Sequence, residues 1–156
     1  MTSHEGDRWL RRRDTGWIGI LSFGLFVLAL GFVWMLTPNS YDEVVSFIKD
    51  FHLKNVTAHI ALPAPINNHP LLYTALTQLS IAVGIIEIVI LSLRFAFHET
   101  LDKKADTIGG IGFWFGAAFF LNMLANGALG WFGFIASIIV CVGLLVVLSN
   151  IFKLFR

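Results

Sequence analysis

Four apolar stretches, each long enough to cross a bilayer as a helix, constrain this chain more than any other feature. They cover residues 17–36, 71–97, 108–126 and 131–152. A helix needs roughly 17–25 apolar residues to cross the hydrocarbon core, and it satisfies all its backbone hydrogen bonds within one segment. Charged residues make up 13% of the chain, against about 25% in soluble domains. The sequence therefore predicts an all-α integral membrane protein, a four-transmembrane-helix bundle forming one membrane domain over residues 1–156.

The basic residues predict the orientation of this bundle. Only Lys49 and Lys54 lie between the first and second spans. The other basic residues precede the first span, surround the connection between the second and third spans, or follow the fourth span: Arg8, Arg11, Arg12, Arg13, Arg94, Lys103, Lys104, Lys153 and Arg156. The positive-inside rule then places both termini in the cytoplasm and the loop over residues 38–70 outside it. A net charge of +1 gives no reason to expect a nucleic-acid partner, so the expected partner is the lipid bilayer.

The outer segment, residues 38–70, contains a second kind of pattern. Ser40 and Glu43 have the spacing of a helix capping box. Apolar residues follow at helical spacing, which predicts a short amphipathic helix over residues 41–53. The rest of the segment is rich in proline and is expected to be extended.

Three histidines of the outer segment are the candidate metal ligands: His52, His59 and His69. Carboxylates lie near them in sequence, at Asp42 and Asp50. Imidazole and carboxylate groups can together bind a transition metal. However, the spacings match no compact ligand motif, so we favour solvated or interfacial histidines and expect no metal or other cofactor.

The second span carries a polar stripe with a carboxylate near its middle. Tyr73, Ser80, Glu87 and Arg94 are spaced by seven residues, and Thr77 lies on the flank of that face. Positions seven apart return to nearly the same side of a helix. An ionisable group near the bilayer midplane costs roughly 2.5–3.5 kcal/mol on insertion scales. The stripe is therefore expected to face protein or water rather than lipid.

Glu87 has two possible roles at this stage. It could exchange a proton or bind a cation along a pathway, or it could be a structural group hydrogen-bonded to a neighbouring helix. Arg94 lies about 10 Å further along the helix axis, too far for an easy direct bond. Asn122 on the third span is a possible partner, although it should lie nearer the outer surface than Glu87.

Small residues recur at helical spacing on the other spans. The third span contains the pair Gly112 and Gly116, and the first contains Gly24 and Gly31. The fourth continues the pattern at Gly133, Ser137 and Cys141. Such residues let helix backbones approach closely in a membrane. The glycine-bearing turn over residues 126–130 should join the third and fourth spans as a helical hairpin.

Three functional hypotheses follow from these patterns. The first is a non-enzymatic subunit or scaffold that assembles as a homo-oligomer or with other membrane subunits. The second is transport, through a small proton or cation channel or transporter that uses Glu87. The third is a membrane enzyme that uses the outer histidines. No residue set resembles a nucleophile with its base and orienting group, so we expect no catalytic activity and favour the first hypothesis.

Overall fold

The computed structural model describes residues 16–57 and 60–154 as five helices and a two-stranded sheet. The N-terminal arginines, His59 and Arg156 lie outside the described residues, as does the side chain of Lys153. In chain order, the elements are α1 (Gly16–Leu36), α2 (Ser40–Lys49), β1 (Phe51–Thr57), β2 (Ile60–Pro65), α3 (Pro70–Ala96), α4 (Leu101–Ala125) and α5 (Trp131–Leu154).

The mostly helical architecture agrees with the prediction from the apolar stretches. Three helices are long and apolar enough to cross a membrane, over Trp17–Leu36, Pro70–Ala96 and Leu101–Ala125. The apolar segment Trp131–Val147 of α5 is shorter than these three helices. The helix α4 begins seven residues before the predicted start at Ile108. Its first turn is charged and hydrophilic, so helix formation extends beyond the apolar stretch that the prediction was based on.

Local backbone signals set the ends of α3 and α4. Pro70 occupies the first turn of α3, where its missing N–H removes no helical hydrogen bond. The α4 helix ends at Ala125, and two residues later Gly127 adopts the left-handed conformation, with φ of 70°. There the Ala128 N–H donates to the Met123 carbonyl at 2.9 Å, as in a Schellman cap. The glycine-bearing turn thus closes the predicted helical hairpin of α4 and α5.

The outer segment corrects the all-α prediction. Its helix α2 ends at Lys49 rather than continuing to residue 53, and β1 and β2 then form an antiparallel hairpin. The predicted capping box does not form. Asn39 is the N-cap, and the Ser40 hydroxyl donates instead to the Trp34 carbonyl at 3.4 Å. The helix ends at Asp50, its C-cap residue, whose carboxylate bonds to Asn67 beyond the hairpin.

The core of the molecule lies between α3 and α4. These two helices form the most extensive helix–helix interface among the described residues. The α5 helix packs on α4, and α1 packs on α3. Glycines allow the close approach of helices. A Cβ atom on Gly116 would lie 2.8 Å from Cys141 Sγ on α5, and one on Gly84 would lie 3.1 Å from the Phe115 ring. The small-residue spacing therefore marks real helix contacts on α4 and α5.

Candidate functional site: the polar stripe and the outer cap

The outer half of the predicted polar stripe is buried inside the protein. Tyr73, Thr77 and Ser80 are 2%, 8% and 3% exposed. The Thr77 hydroxyl donates to the Tyr73 carbonyl one turn earlier, at 2.8 Å. The periodicity therefore identified the buried face of α3. Within one copy of the chain, these side chains are packed against protein rather than arranged along an open path.

Glu87 lies further along the same face, partly buried against α4. Its carboxyl group sits beside Gly110, because a Cβ atom placed there would lie 3.6 Å from Glu87 Cδ. A Cβ atom at this position would make an ordinary van der Waals contact with the Glu87 carboxyl group. The sequence analysis did not pair these two residues. The adjacent glycines at 109 and 110 are the signal that could have suggested a neighbour for a large polar group.

Asn122 lies far along α4 from Gly110, the residue beside the Glu87 carboxyl group. Twelve residues separate Asn122 from Gly110, which corresponds to about 18 Å along a helix. The Asn122 side chain is exposed, and its Oδ1 accepts a hydrogen bond from Asn126 Nδ2. Asn122 is therefore not the partner of Glu87 within one copy, and it instead lies in the last turn of α4.

Arg94, the last member of the stripe, belongs to an ion-pair network at the C-terminal end of α3. Its Nη1 donates to the Lys103 carbonyl at 2.6 Å, and its Nε lies 3.6 Å from Glu99 Oε2. The Lys103 Nζ lies 3.3 Å from Glu99 Oε1. The Glu99 side chain is only 5% exposed. Arg94 thus ties the C-terminal end of α3 to the start of α4.

A second polar cluster, here called the outer cap cluster, comprises Glu43, Asp50, Asn67 and His69. The Asp50 carboxylate accepts hydrogen bonds from the backbone N–H of Asn67 at 2.7 Å and from its Nδ2 at 2.9 Å. His69 Nε2 lies 3.2 Å from the same carboxylate, and His69 Nδ1 lies 3.9 Å from Glu43. The cluster joins α2 to the residues just before α3.

The hydrogen bonds of this cluster favour the charged form of Asp50. The Asn67 backbone N–H contributes most to holding the pKa of Asp50 below its ordinary value of 3.8. The side chains of His69 and Asn67 act in the same direction, and burial opposes them. Asp50 is therefore an ionised anchor for the outer segment at neutral pH.

Two of the three candidate histidine ligands, His52 and His69, lie among the described residues. His69 is buried in the outer cap cluster, whereas His52 is exposed, with Nδ1 3.0 Å from the Asp50 carbonyl. His59 lies outside the described residues. Among residues 16–57 and 60–154, no group of three or more His, Cys, Asp or Glu side chains has metal-binding geometry. His52 and His69 both contact Asp50, His52 at its backbone carbonyl and His69 at its carboxylate.

Aromatic rings pack the outer cap cluster onto the helices. Phe47 on α2 stacks edge-on against His69 at 5.4 Å, Tyr73 at 6.1 Å and Trp131 at 5.9 Å between ring centroids. Edge-to-face aromatic pairs at such distances are favourable. The indole Nε1 of Trp131 is buried and has no hydrogen-bond partner. The contacts hold α2 against both α3 and α5, so the outer segment has a defined position on the bundle.

Two openings flank these clusters. A cavity of about 380 Å³ lies between the hairpin and the turn before α5, and Lys54, Asn68 and Trp131 are among its lining residues. An apolar groove of about 510 Å³ separates α1 from α5, with Phe26 on one side and Ile139 on the other. The groove shows that α1 does not close the bundle against α5.

Comparison with known proteins adds no assignment: no family model, curated protein or solved structure matches this chain.

Proposed function

We propose that this chain is a non-enzymatic membrane subunit that crosses the bilayer four times and assembles with copies of itself or with other membrane subunits. Both termini lie in the cytoplasm, and the outer segment over residues 38–70 lies on the opposite side. The lipid bilayer and neighbouring transmembrane helices are its partners. The exposed surface of α1 is the observation that supports this proposal most directly.

The α1 helix is apolar on all sides, but it buries little of its surface in the chain. Ile18, at 2% exposed, is its one buried side chain among those described. Gly24 and Gly31 are exposed, and neither has an atom within 4 Å of where a Cβ would lie. The small-residue face that could admit another helix is thus unused within one copy. In lipid, close backbone approach through such faces supports helix association.

Subunit counting in native-lipid nanodiscs tests this proposal. We expect particles that contain more than one copy, or one copy with a co-purified membrane subunit, and fewer such particles for Gly24→Val. Ala29→Val is a matched control, since it adds the same kind of side chain at a less exposed position of α1. Uniformly monomeric particles at every lipid dilution, with no bound subunit, would contradict the proposal.

Cysteine labelling tests the proposed topology separately. Cys141 is the only cysteine, so a Cys141→Ala background carries no other thiol. In intact cells, an impermeant maleimide should label Asn68→Cys, and it should label Asp106→Cys only after permeabilisation. The reverse pattern, or equal labelling of both positions, would reject the four-span arrangement with cytoplasmic termini.

A proton or cation pathway through Glu87 is the second candidate. Its support is that Glu87 remains partly exposed beside Gly110, although the outer half of the stripe is buried. Such a pathway would have to form between copies or require movement of α3. Comparing flux in liposomes for Glu87→Gln and the unchanged chain decides the role of this residue. Equal flux, or none in either protein, removes Glu87 from a transport mechanism.

A further inference from the structure

The cavity between the outer hairpin and the first turn of α5 has a positively charged residue in its wall. Its volume is about 380 Å³, which lies in the range of small-ligand sites. Among the described residues that line it, Lys54 alone carries a charge. Lys54 forms no ion pair with another described residue. Its ammonium group is therefore available to a ligand in the cavity.

The first turn of α5 adds backbone donors to the same cavity. Trp131, Phe132 and Gly133 all line it. The helical hydrogen bonds of α5 begin with the Phe134 N–H, which donates to the Gly130 carbonyl at 2.9 Å. The three preceding N–H groups have no acceptor among the described residues. Free N–H groups and the positive end of the helix dipole favour an anion at such a position.

Tyr73 on α3 supplies an independent and deeply buried donor. This residue is 2% exposed and lines the cavity. Its hydroxyl oxygen lies close to the backbone N–H of His69, which can donate to the oxygen but cannot accept the hydroxyl proton. No described group accepts that proton. Because a buried polar group without a partner is costly, the Tyr73 hydroxyl is suited to donate to a ligand.

Trp131 brings a second side chain with an unused donor to the wall of the cavity. Its indole Nε1 is buried and has no hydrogen-bond partner. The indole nitrogen can only donate, and most buried polar groups in folded proteins have a partner. Tyr73 and Trp131 are on different helices, so one ligand with several acceptor oxygens would satisfy both.

The nearby carboxylate of Asp50 does not compete for these donors. Asp50 is not among the described residues that line the cavity. Its oxygens accept from the backbone N–H and Nδ2 of Asn67, and they lie beside His69 Nε2. Asn67 lines the cavity, but its donors are used by Asp50. The described lining therefore combines a lysine and free donors with no carboxylate, which favours an anion over a cation.

We propose that this cavity binds the phosphate group of a phosphate ester. The donors come from three separate segments, and a phosphate group has more acceptor oxygens than a carboxylate. It can accept from the Tyr73 hydroxyl, the first N–H groups of α5 and the Lys54 ammonium together. Apolar lining residues such as Leu124 and Leu129 leave a surface for the esterified group. A lipid headgroup and a soluble phosphate ester share this chemistry.

Tryptophan indole NMR tests this binding site in the full chain, purified in a maltoside detergent that contains no phosphate. The signal of Trp131 is identified by its loss in Trp131→Phe. We expect glycerol phosphate or phosphatidylglycerol to shift this signal saturably, and more than the signals of the other tryptophans. Diacylglycerol, which lacks the phosphate, should not shift it. No saturable shift of the Trp131 signal with either phosphate probe would overturn the proposal.

The two probes distinguish the sources of the phosphate. A response to glycerol phosphate shows that a soluble ester is sufficient for binding. A response to phosphatidylglycerol alone shows that the ligand is a lipid headgroup. Both responses support the phosphate site, and neither requires assembly of the chain.

Two matched pairs of variants test the proposed donors. Lys54→Gln removes the charge at the cavity, and Lys49→Gln removes that of the other lysine of the outer segment. Tyr73→Phe removes the buried hydroxyl, and Tyr41→Phe removes the exposed one. We expect binding to weaken about tenfold in Lys54→Gln and about threefold in Tyr73→Phe, with little change in the two controls. Equal effects within either pair would overturn the proposal.

Discussion

The helices α1, α3 and α4 are all apolar, yet α3 and α4 form the core whereas α1 buries little of its surface. The α3–α4 pair buries Tyr73, Thr77 and Ser80, partly buries Glu87 beside a glycine, and carries an ion-pair network at the C-terminal end of α3. In contrast, α1 buries one of its described side chains and leaves its glycines uncovered. Apolar character alone therefore does not show which helix forms the core. Polar groups that need protein partners identify the central pair, and a helix without them is available to lipid or to another subunit.

The largest effect should come from breaking the ion-pair network of the α3–α4 pair. Glu99→Ala leaves the Arg94 guanidinium without its carboxylate in a mostly buried position. Removing one partner of a buried ion pair costs about 3–5 kcal/mol. We expect a loss of that order in the free energy of unfolding, measured by steric trapping in bicelles. Asp106→Ala removes an acid from an exposed position of α4, the helix that follows Glu99, and should change stability by less than about 0.5 kcal/mol.

A glycine contact of α4 should give the next largest effect. Gly116→Val would place new atoms against Cys141 on α5, where even a Cβ lies 2.8 Å from Sγ. Overpacking of this kind costs about 1–3 kcal/mol. The same unfolding measurement should show the loss. Restoring most of the stability by combining Gly116→Val with Cys141→Ala would confirm that the contact is the cause, and no restoration would argue against it.

The outer cap cluster should respond to acid. Because the pKa of Asp50 is lowered in the folded protein, its carboxylate stabilises the cap at pH values above the ordinary 3.8. That contribution disappears as the pH falls through the lowered pKa. We expect faster hydrogen exchange in the hairpin below about pH 3.8, after correction for the intrinsic rate at each pH. Asp50→Asn should show faster exchange already at neutral pH.

A control for this acid response is Asp42→Asn, which removes an exposed carboxylate from the same helix α2. Its hairpin should exchange as in the unchanged chain at both pH values. If Asp42→Asn and Asp50→Asn behave alike, the general charge of α2 controls the hairpin, and the hydrogen bonds to Asn67 and His69 do not.

The smallest effect on stability is expected at α1. Gly24→Val adds a side chain where the chain has no neighbouring atoms. The free energy of unfolding of the monomer should change by less than about 0.5 kcal/mol, even though assembly weakens. A loss as large as that of Gly116→Val would show that α1 packs within the chain, and the contrast between the two regions would disappear.

The sequence predicted more of the long apolar helices than of the outer segment. The predicted second span, 71–97, differs from α3 by one residue at each end, because hydrophobicity and proline are local signals. The hairpin was not predicted. Ala58 and His59 between its strands lack the Asn-Gly or Asp-Gly pattern that marks a tight hairpin turn. Pro63 and Pro65 also lowered the expectation of a strand, although they fit an edge.

The candidate site was likewise predicted only in part from the sequence. The seven-residue spacing predicted that Tyr73, Thr77 and Ser80 share a face that avoids lipid, and these side chains are buried. The spacing could not predict that Glu87 would meet Gly110, since that contact depends on how far α3 and α4 slide along each other. The roles proposed for Glu87 and Arg94 in transport stay predictions.

The sequence by itself determined the helical class and the buried face of α3, because hydrophobicity and helical periodicity depend only on neighbouring residues. Only the tertiary structure decided which polar groups meet. Asp50 binds Asn67 and His69 across 17 and 19 residues, and Arg94 reaches Glu99 because the chain turns between α3 and α4. Such contacts depend on the relative position of whole segments. Many pairings are compatible with one sequence pattern, and packing of the complete chain selects among them.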